Sequence, residues 1–88
     1  MKINFTETGW KDYLYWEGRD KKTVKKINKL IEDIVQNGYD GIGKPEALRG
    51  ELSGWWSRHI DEKNRLLYRI LGRESIEILE CKGHYGDK

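Results

Sequence analysis

Residues that build the common catalytic and structural sites are scarce in this chain of 88 residues, which has one cysteine and two histidines. The single cysteine, Cys81, cannot form an intramolecular disulfide, and it lies in an apolar stretch typical of a small buried residue. Two histidines and one cysteine cannot fill a structural zinc site alone, and no HExxH, CxxC, Walker or GxGxxG pattern occurs. We therefore expect no metal ion and no nucleotide cofactor.

Long hydrophobic runs are absent as well. No stretch is long enough to cross a bilayer, and the N-terminus lacks the apolar segment of a secretory signal, so we expect a cytoplasmic protein without membrane contact. Neither sign of charge dominates, because 17 Lys and Arg against 15 Asp and Glu give a net charge of +2. Any nucleic-acid contact must therefore come from local clusters of basic residues.

Aromatic residues, in contrast, are plentiful: the chain has four Trp and five Tyr. They supply the large buried areas that a disordered segment lacks, and the length suits one domain with a small core. The sequence shows no internal repeat and no low-complexity linker. We predict a single domain over residues 1–88.

The spacing of apolar residues predicts an α+β fold. A short strand in KINFT precedes one helix in TGWKDYLYWEG and a second in KKTVKKINKLIEDIVQNG, with Thr6 and Asp20 as N-caps and Gly38 as the stop. Three further strands follow in WWSRHI, RLLYRIL and SIEILECK. The glycine-rich segment 39–52 is predicted to be a loop with one helical turn at 45–48. Two N-terminal helices should pack on a twisted, mainly antiparallel sheet of about four strands.

Strand parity separates two kinds of side chain in RLLYRIL. Arg65 and Arg69 share one face, and the opposite face is wholly apolar and aromatic, so that apolar face should meet the helices. Polar side chains that could converge where the strands meet the long loop are Lys44, Glu46, Arg49, Arg58, Arg65, Arg69, His84 and Tyr85.

Each of these residues also has an ordinary structural interpretation. Arg65 is equally typical of a solvated strand residue, and a glutamate just after proline, as at Glu46, is typical of the first turn of a helix. His84 alone is typical of a chain end. The Trp55–Trp56 pair favours core and sheet-edge packing over a surface on which bases stack.

A resemblance covers nearly the whole chain. The stretches DYLYW, KKINKLIEDI, GKPEALRGELSGWWSRHIDEKNRLLY and the terminal HY, in this order and spacing, resemble the YoeB/Txe toxins of the RelE superfamily. The resemblance implies a RelE-like, microbial-RNase-like fold and a ribosome-dependent mRNA endoribonuclease, the toxin component of a type II toxin–antitoxin system. It implies as partners a YefM/Axe-type antitoxin, the 30S A site with its mRNA, and a second copy in a homodimer.

The resemblance also assigns roles residue by residue. Four residues match the catalytic positions of the family: Glu46, Arg65, His84 and Tyr85. Four more fall where such toxins contact RNA or the ribosome: Lys44, Arg49, Arg58 and His59. Histidine stands at position 59 where an arginine often occurs in these toxins, so a permanent charge becomes a titrating one.

The catalytic set suits cleavage by the 2′-hydroxyl of the RNA itself, without a metal. Glu46 could take the 2′ proton, and Arg65 could direct two N–H donors onto the non-bridging phosphate oxygens. His84 would protonate the leaving 5′-oxygen, which gives a 2′,3′-cyclic phosphate and a 5′-hydroxyl. Because a free imidazole has a pKa of about 6.5, nearby negative groups would have to raise it. DNA lacks the nucleophile.

Two other functions would use the same residues. A non-catalytic RNA- or ribosome-binding module needs the basic side chains, but a carboxylate such as Glu46 beside a phosphate site hinders binding and helps only chemistry. A protein-interaction domain would offer a sheet edge or a helix groove to a partner segment. The last function is compatible with a toxin, because related antitoxins wrap a segment that folds on binding around the catalytic face.

Overall fold

A computed structural model describes residues 1–83. In chain order the elements are β1 (Lys2–Phe5), α1 (Glu7–Glu17), α2 (Lys21–Asn37), β2 (Glu46–Ala47), a 3₁₀ helix (Gly50–Leu52), β3 (Trp56–His59), β4 (Arg65–Leu71) and β5 (Ser75–Glu80). The predicted α+β class, with both helices before most of the sheet, is confirmed. Within residues 1–83 neither helix is long and apolar enough to cross a membrane.

Both helices begin and end where the local sequence predicts. The Thr6 hydroxyl accepts a hydrogen bond from the Gly9 backbone N–H at 3.0 Å, and the Asp20 carboxylate accepts one from the Thr23 N–H at 3.1 Å. These bonds satisfy N–H groups that have no partner within the helix. Gly38 ends α2 with a φ of 66°, a conformation that favours glycine.

The sheet has five strands in the order β1-β5-β4-β3-β2. β1 runs parallel to β5, and the other three pairs are antiparallel. The expected count of about four strands was therefore one short, because β2 was missed. The helical turn predicted at 45–48 is wrong: Glu46 pairs with Ser57 and Ala47 with Trp56 across an antiparallel ladder. A strand of two residues is too short to show a two-residue period, so only its tertiary pairing defines it.

The core lies between α2 and one face of the sheet. Ile27, Leu30 and Ile34 of α2 are fully buried, and they pack in one cluster with Leu66 and Tyr68 of β4. The prediction that the apolar side of β4 meets the helices is confirmed. We call this side of the sheet the helix face and the opposite side the far face.

The far face collects the polar strand residues. Residues paired across an antiparallel ladder share a side, as do residues two apart in one strand. Glu46 lies opposite Ser57, and His59 lies opposite Arg65. The far face therefore carries Glu46 on β2, His59 on β3, and both Arg65 and Arg69 on β4.

Candidate active site

Accessibility on the far face varies from the centre to the edge. Ser57 and Leu67, at its middle, are buried, whereas Glu46 on the edge strand β2 is exposed. A depression of about 590 Å³ runs along this edge and is lined by Glu46, Ala47, Leu48 and Arg49. The β2 edge is therefore the accessible part of this side of the sheet.

Arg65 is held by one end of its guanidinium. The residue is only 8% exposed, so the interpretation as a solvated strand residue is wrong. Its Nη1 donates to three backbone carbonyl oxygens, those of Asp61 at 2.8 Å, Glu62 at 3.1 Å and Asn64 at 3.2 Å. Among residues 1–83 no acceptor is recorded for Nε or Nη2. That second edge of the fork has the geometry that binds two oxygens of a phosphate.

Gly83, the last described residue, is hydrogen-bonded to Arg65 and to its neighbour Asn64. The Arg65 backbone N–H donates to the Gly83 carbonyl oxygen at 2.9 Å, and the Gly83 N–H donates to the Asn64 side-chain oxygen at 2.8 Å. Gly83 directly precedes His84 in the sequence. His84 and Tyr85 themselves lie outside the described residues, so the roles assigned to them stay predictions.

Three basic side chains lie near Glu46. Two of them flank β2 in the sequence, Lys44 and Arg49, and the third is His59 on the neighbouring strand β3. Lys44 is exposed and has a φ of 53°, the one positive value recorded for a non-glycine residue in the range 1–83. Such a backbone is strained for a side chain with a Cβ and persists only where the surroundings fix it. The backbone next to Lys44 is held by a hydrogen bond from the His59 N–H to the Gly43 carbonyl oxygen at 2.7 Å. Arg49 is exposed and directly precedes the 3₁₀ helix.

Arg58 lies on the helix face, which corrects the prediction that it contacts RNA or the ribosome. It is 0% exposed and pairs across the ladder with Leu66. Its five hydrogen bonds go to the side chains of Asp33 and Tyr68 and to the carbonyl oxygens of Gly38, Asp40 and Ile42. Arginine has five N–H groups in total, so none is left for an RNA phosphate.

The partners of Arg58 were missed because they are distant in sequence. Asp33 of α2 accepts from Nη1 at 2.5 Å, and this hydrogen bond lowers the pKa of Asp33 below its ordinary value. Burial raises the pKa of the Tyr68 hydroxyl, which accepts from Nε at 3.1 Å. The sequence offers one signal, an aspartate between the buried residues Ile31 and Ile34 of α2.

The loop that Arg58 binds leads directly to Glu46. Glycine is needed there for close approach: a Cβ at Gly43 would lie 2.8 Å from a methyl carbon of Leu30, and one at Gly41 would overlap the Asp33 carboxylate. The Arg58 guanidinium, carried by β3, is therefore hydrogen-bonded both to α2 and to the loop 38–43. It thereby holds the segment that precedes Glu46.

Arg69 takes part in a ladder across the far face. Its Nε donates a hydrogen bond to a carboxylate oxygen of Glu77 at 2.7 Å, and its Nη2 lies 2.7 Å from the same oxygen in an ion pair. The Arg69 guanidinium also lies 4.4 Å from the centre of the Trp55 ring. Trp56 stacks on Tyr39 with ring centroids 4.4 Å apart. The interpretation of the tryptophan pair as packing residues is thus confirmed.

The described residues offer neither a reactive thiol nor a cluster of metal ligands. Cys81 is fully buried, and burial raises its thiol pKa to about 12, so it is a small hydrophobic residue as predicted. Within residues 1–83 no three His, Cys, Asp or Glu side chains come close enough together to hold a metal ion.

A second surface lies between β1 and the helices. We call it the aromatic cleft: it measures about 480 Å³ and is lined by Ile3, Phe5, Trp10, Tyr13, Asn28, Ile31 and Glu32. Trp10 and Tyr13 stack with ring centroids 5.8 Å apart, yet Trp10 remains 48% exposed and Ile3 43% exposed. Contiguous exposed apolar side chains of this kind mark surfaces that bind another protein.

Comparison with known proteins identifies relatives over nearly the full chain. Residues 5–85 match a family model described as the YoeB-like toxin of bacterial type II toxin-antitoxin systems. The chain is 51% identical to the Toxin YoeB of Synechocystis sp., over 97% of this chain and 98% of that protein. The structure of the YoeB dimer from Staphylococcus aureus superimposes with a TM-score of 0.90 at 44% identity, covering 97% of this chain and 98% of that one. The YoeB-YefM complex from Staphylococcus aureus gives a TM-score of 0.90 at 43% identity, with the same coverage.

Proposed function

Since this chain belongs to the YoeB-like toxins of bacterial type II toxin-antitoxin systems, we propose that it is an endoribonuclease that cuts mRNA in the ribosomal A site. The observation that carries the proposal is on the far face: the exposed Glu46 carboxylate and the Arg65 guanidinium lie on the same side of the sheet. Among residues 1–83 the guanidinium donates through Nη1 alone. Adjacent strands are about 4.8 Å apart, so the backbones of β2 and β4 are separated by roughly 10 Å. Glu46 and Arg65 can reach towards a phosphate placed between them.

The reaction is in-line attack by the 2′-hydroxyl on the adjacent phosphorus. Glu46 accepts the 2′ proton, and the oxygen–phosphorus bond forms as the bond to the 5′-oxygen breaks. Nε and Nη2 of Arg65 stabilise the negative charge that grows on the non-bridging oxygens. His84 donates the proton that the departing 5′-oxygen takes, and Tyr85 binds the phosphate or stacks on a base. The products are a 2′,3′-cyclic phosphate and a 5′-hydroxyl.

In this proposal three basic residues near Glu46 hold the RNA strand. Lys44 and Arg49 are exposed on either side of β2, and His59 lies across the sheet from Arg65. Three side chains give only weak, salt-sensitive binding to a flexible strand. Misplacing reacting atoms by about 1 Å costs on the order of a hundredfold in rate, so a ribosome that holds the message in place supplies what the toxin lacks.

Primer extension on a message under translation in vitro tests this function. We expect cuts in ribosome-bound mRNA and none in the same mRNA without ribosomes. Glu46→Gln should abolish cutting because an amide cannot accept the 2′ proton. Glu51→Gln is the matched control: it removes an exposed carboxylate from the neighbouring 3₁₀ helix and should cut normally. A wild-type protein that sediments with ribosomes but cuts no message would instead be the non-catalytic binding module.

A YefM/Axe-type antitoxin is the partner that the proposed function requires. The Staphylococcus aureus relative has been solved as a YoeB-YefM complex. Here the antitoxin would cover the β2 edge of the far face, where Glu46 and Arg49 are exposed, and so exclude mRNA from the site. Acidic side chains on the antitoxin would complement the basic residues of this edge.

The aromatic cleft is proposed as the contact between two copies of the toxin. The solved structure of the Staphylococcus aureus relative is a dimer, and the cleft of this chain is lined by an exposed tryptophan, Trp10, and an exposed isoleucine, Ile3. Burying such side chains contributes about 25 cal/mol for each Å² removed from water. A second copy that covers this surface would therefore gain free energy from burying these side chains.

We expect Trp10→Glu to convert a dimer into a monomer, because it places a charge inside the covered cleft. Sedimentation velocity at micromolar concentration measures the change. Val35→Glu is the control, since Val35 is 40% exposed on α2 and does not line the cleft. A wild-type monomer, or a Trp10→Glu dimer as tight as the wild type, would rule out this contact.

A further inference from the structure

The turn between β3 and β4 is closed by one side chain. The Asp61 carboxylate accepts hydrogen bonds from the Lys63 backbone N–H at 2.8 Å and the Asn64 backbone N–H at 2.7 Å. It also accepts from the Asn64 side-chain amide at 3.1 Å. An aspartate that bonds the backbone two and three residues later fixes the conformation of a turn. The path of residues 61–64 thus depends on this carboxylate.

Within residues 1–83, this turn supplies all three acceptors of the Arg65 guanidinium. Nη1 donates to the carbonyl oxygens of Asp61, Glu62 and Asn64. A carbonyl oxygen points where its peptide plane points, so a change in the turn moves all three acceptors at once. The direction of the other edge of the guanidinium, formed by Nε and Nη2, therefore follows the shape of the turn.

Asp61 is exposed, and its carboxylate is charged when it accepts the hydrogen bonds that close the turn. Partial burial acts to raise its pKa, but hydrogen bonds from Asn64 and Lys63 outweigh burial and lower the pKa below the ordinary value. The carboxylate is consequently ionised at neutral pH and accepts strongly. The residue is exposed and outside the core, so its loss should leave the fold intact.

We propose that Asp61 is a positioning residue for RNA cleavage: it closes the turn whose carbonyl oxygens aim the Arg65 guanidinium at the scissile phosphate. The inference rests on the proposed function, and Asp61 itself touches no reacting atom. Without Asp61 the arginine keeps its charge and still attracts RNA, but its fork is misaligned in the transition state. The effect falls on kcat and spares binding.

Single-turnover cleavage of a ribosome-bound message tests the inference. We expect Asp61→Ala to cut about 10- to 100-fold more slowly at saturation, with the half-saturating toxin concentration unchanged. Asp61→Asn should recover most of the rate, because its side-chain oxygen still accepts from both backbone N–H groups. Lys63→Ala should match the wild type, because the Lys63 side chain makes no hydrogen bond to another residue in the range 1–83. Melting temperatures confirm that each variant is folded.

A double variant separates positioning from other roles. Adding Asp61→Ala to Arg65→Ala should cause no further loss, since Asp61 acts through Arg65. A further tenfold loss on that background, an Asp61→Asn variant as slow as Asp61→Ala, or an Asp61→Ala variant as fast as the wild type would each overturn the inference.

The inference can fail separately from the proposed function. If the wild type cuts no message, the function is wrong, and the inference is then judged by the NMR signal of the Arg65 Nε–H group. A changed signal in Asp61→Ala would show that the turn fixes the guanidinium. An unchanged signal would show that it does not.

Discussion

Arg58→Met is expected to lower the free energy of unfolding by about 3–5 kcal/mol, the cost of breaking a buried ion pair by removing one partner. Methionine keeps the length of the side chain but none of its five N–H groups. The Asp33 carboxylate, with only 17% of its side chain exposed, then loses its charged partner. Three loop carbonyl oxygens lose their donors as well. Urea unfolding followed by tryptophan fluorescence measures the loss.

Two controls show whether the buried network is responsible. Arg73→Met removes an exposed arginine from the turn before β5 and should change stability by less than about 0.5 kcal/mol. The wild type should also lose the contribution of Asp33 in acid. Because Arg58 lowers the Asp33 pKa, that contribution is complete above about pH 4 and disappears as the pH falls through the lowered pKa. A loss below about 1 kcal/mol in Arg58→Met would contradict a structural role for the network.

Arg65→Ala is expected to slow cleavage of ribosome-bound mRNA by about 10³-fold, a loss of roughly 4 kcal/mol of transition-state stabilisation. The reason is that charge grows on the phosphate oxygens only as the reaction proceeds, so the guanidinium acts mainly on kcat. Arg65→Lys should recover little, because an ammonium group is a point charge without the planar fork. Single-turnover rates measure both effects.

Arg69→Ala is the matched control for Arg65→Ala. It removes a guanidinium from the same strand and the same face, two residues further along, where Glu77 and the Trp55 ring already engage it. We expect its rate to stay within about threefold of the wild type, as for a side chain that does not touch the phosphate. Equal losses in the two variants would indicate a general effect of positive charge on the far face.

Local sequence was sufficient where short-range physics decides the structure. Thr6, Asp20 and Gly38 delimit the helices because caps and stops act within four residues. The two-residue period of β4 assigned Leu66 and Tyr68 to the core for the same reason. The edge strand β2 has no such period, so Glu46 could not be separated from a helical turn by pattern alone.

Arg58 shows what local patterns miss. Parity in WWSRHI places it with Trp56 and Ile60 on the apolar side, but a charged residue is rarely buried without a partner. That partner, Asp33, lies 25 residues earlier, on a different element. Only the tertiary structure brings the two together. The catalytic roles proposed for Glu46 and Arg65 came from the family resemblance and not from local patterns. The far face adds the observation that both residues lie on the same side of the sheet.

A single substitution in the RNA tests the proposed chemistry best. A message is prepared with one 2′-deoxynucleotide at the cut position, placed in the ribosomal A site and treated with the wild-type toxin. We predict that it stays intact while the all-ribose message is cut to a 2′,3′-cyclic phosphate and a 5′-hydroxyl. Cutting of the deoxy message at a comparable rate would contradict attack by the 2′-hydroxyl, and with it the roles proposed for Glu46 and Arg65.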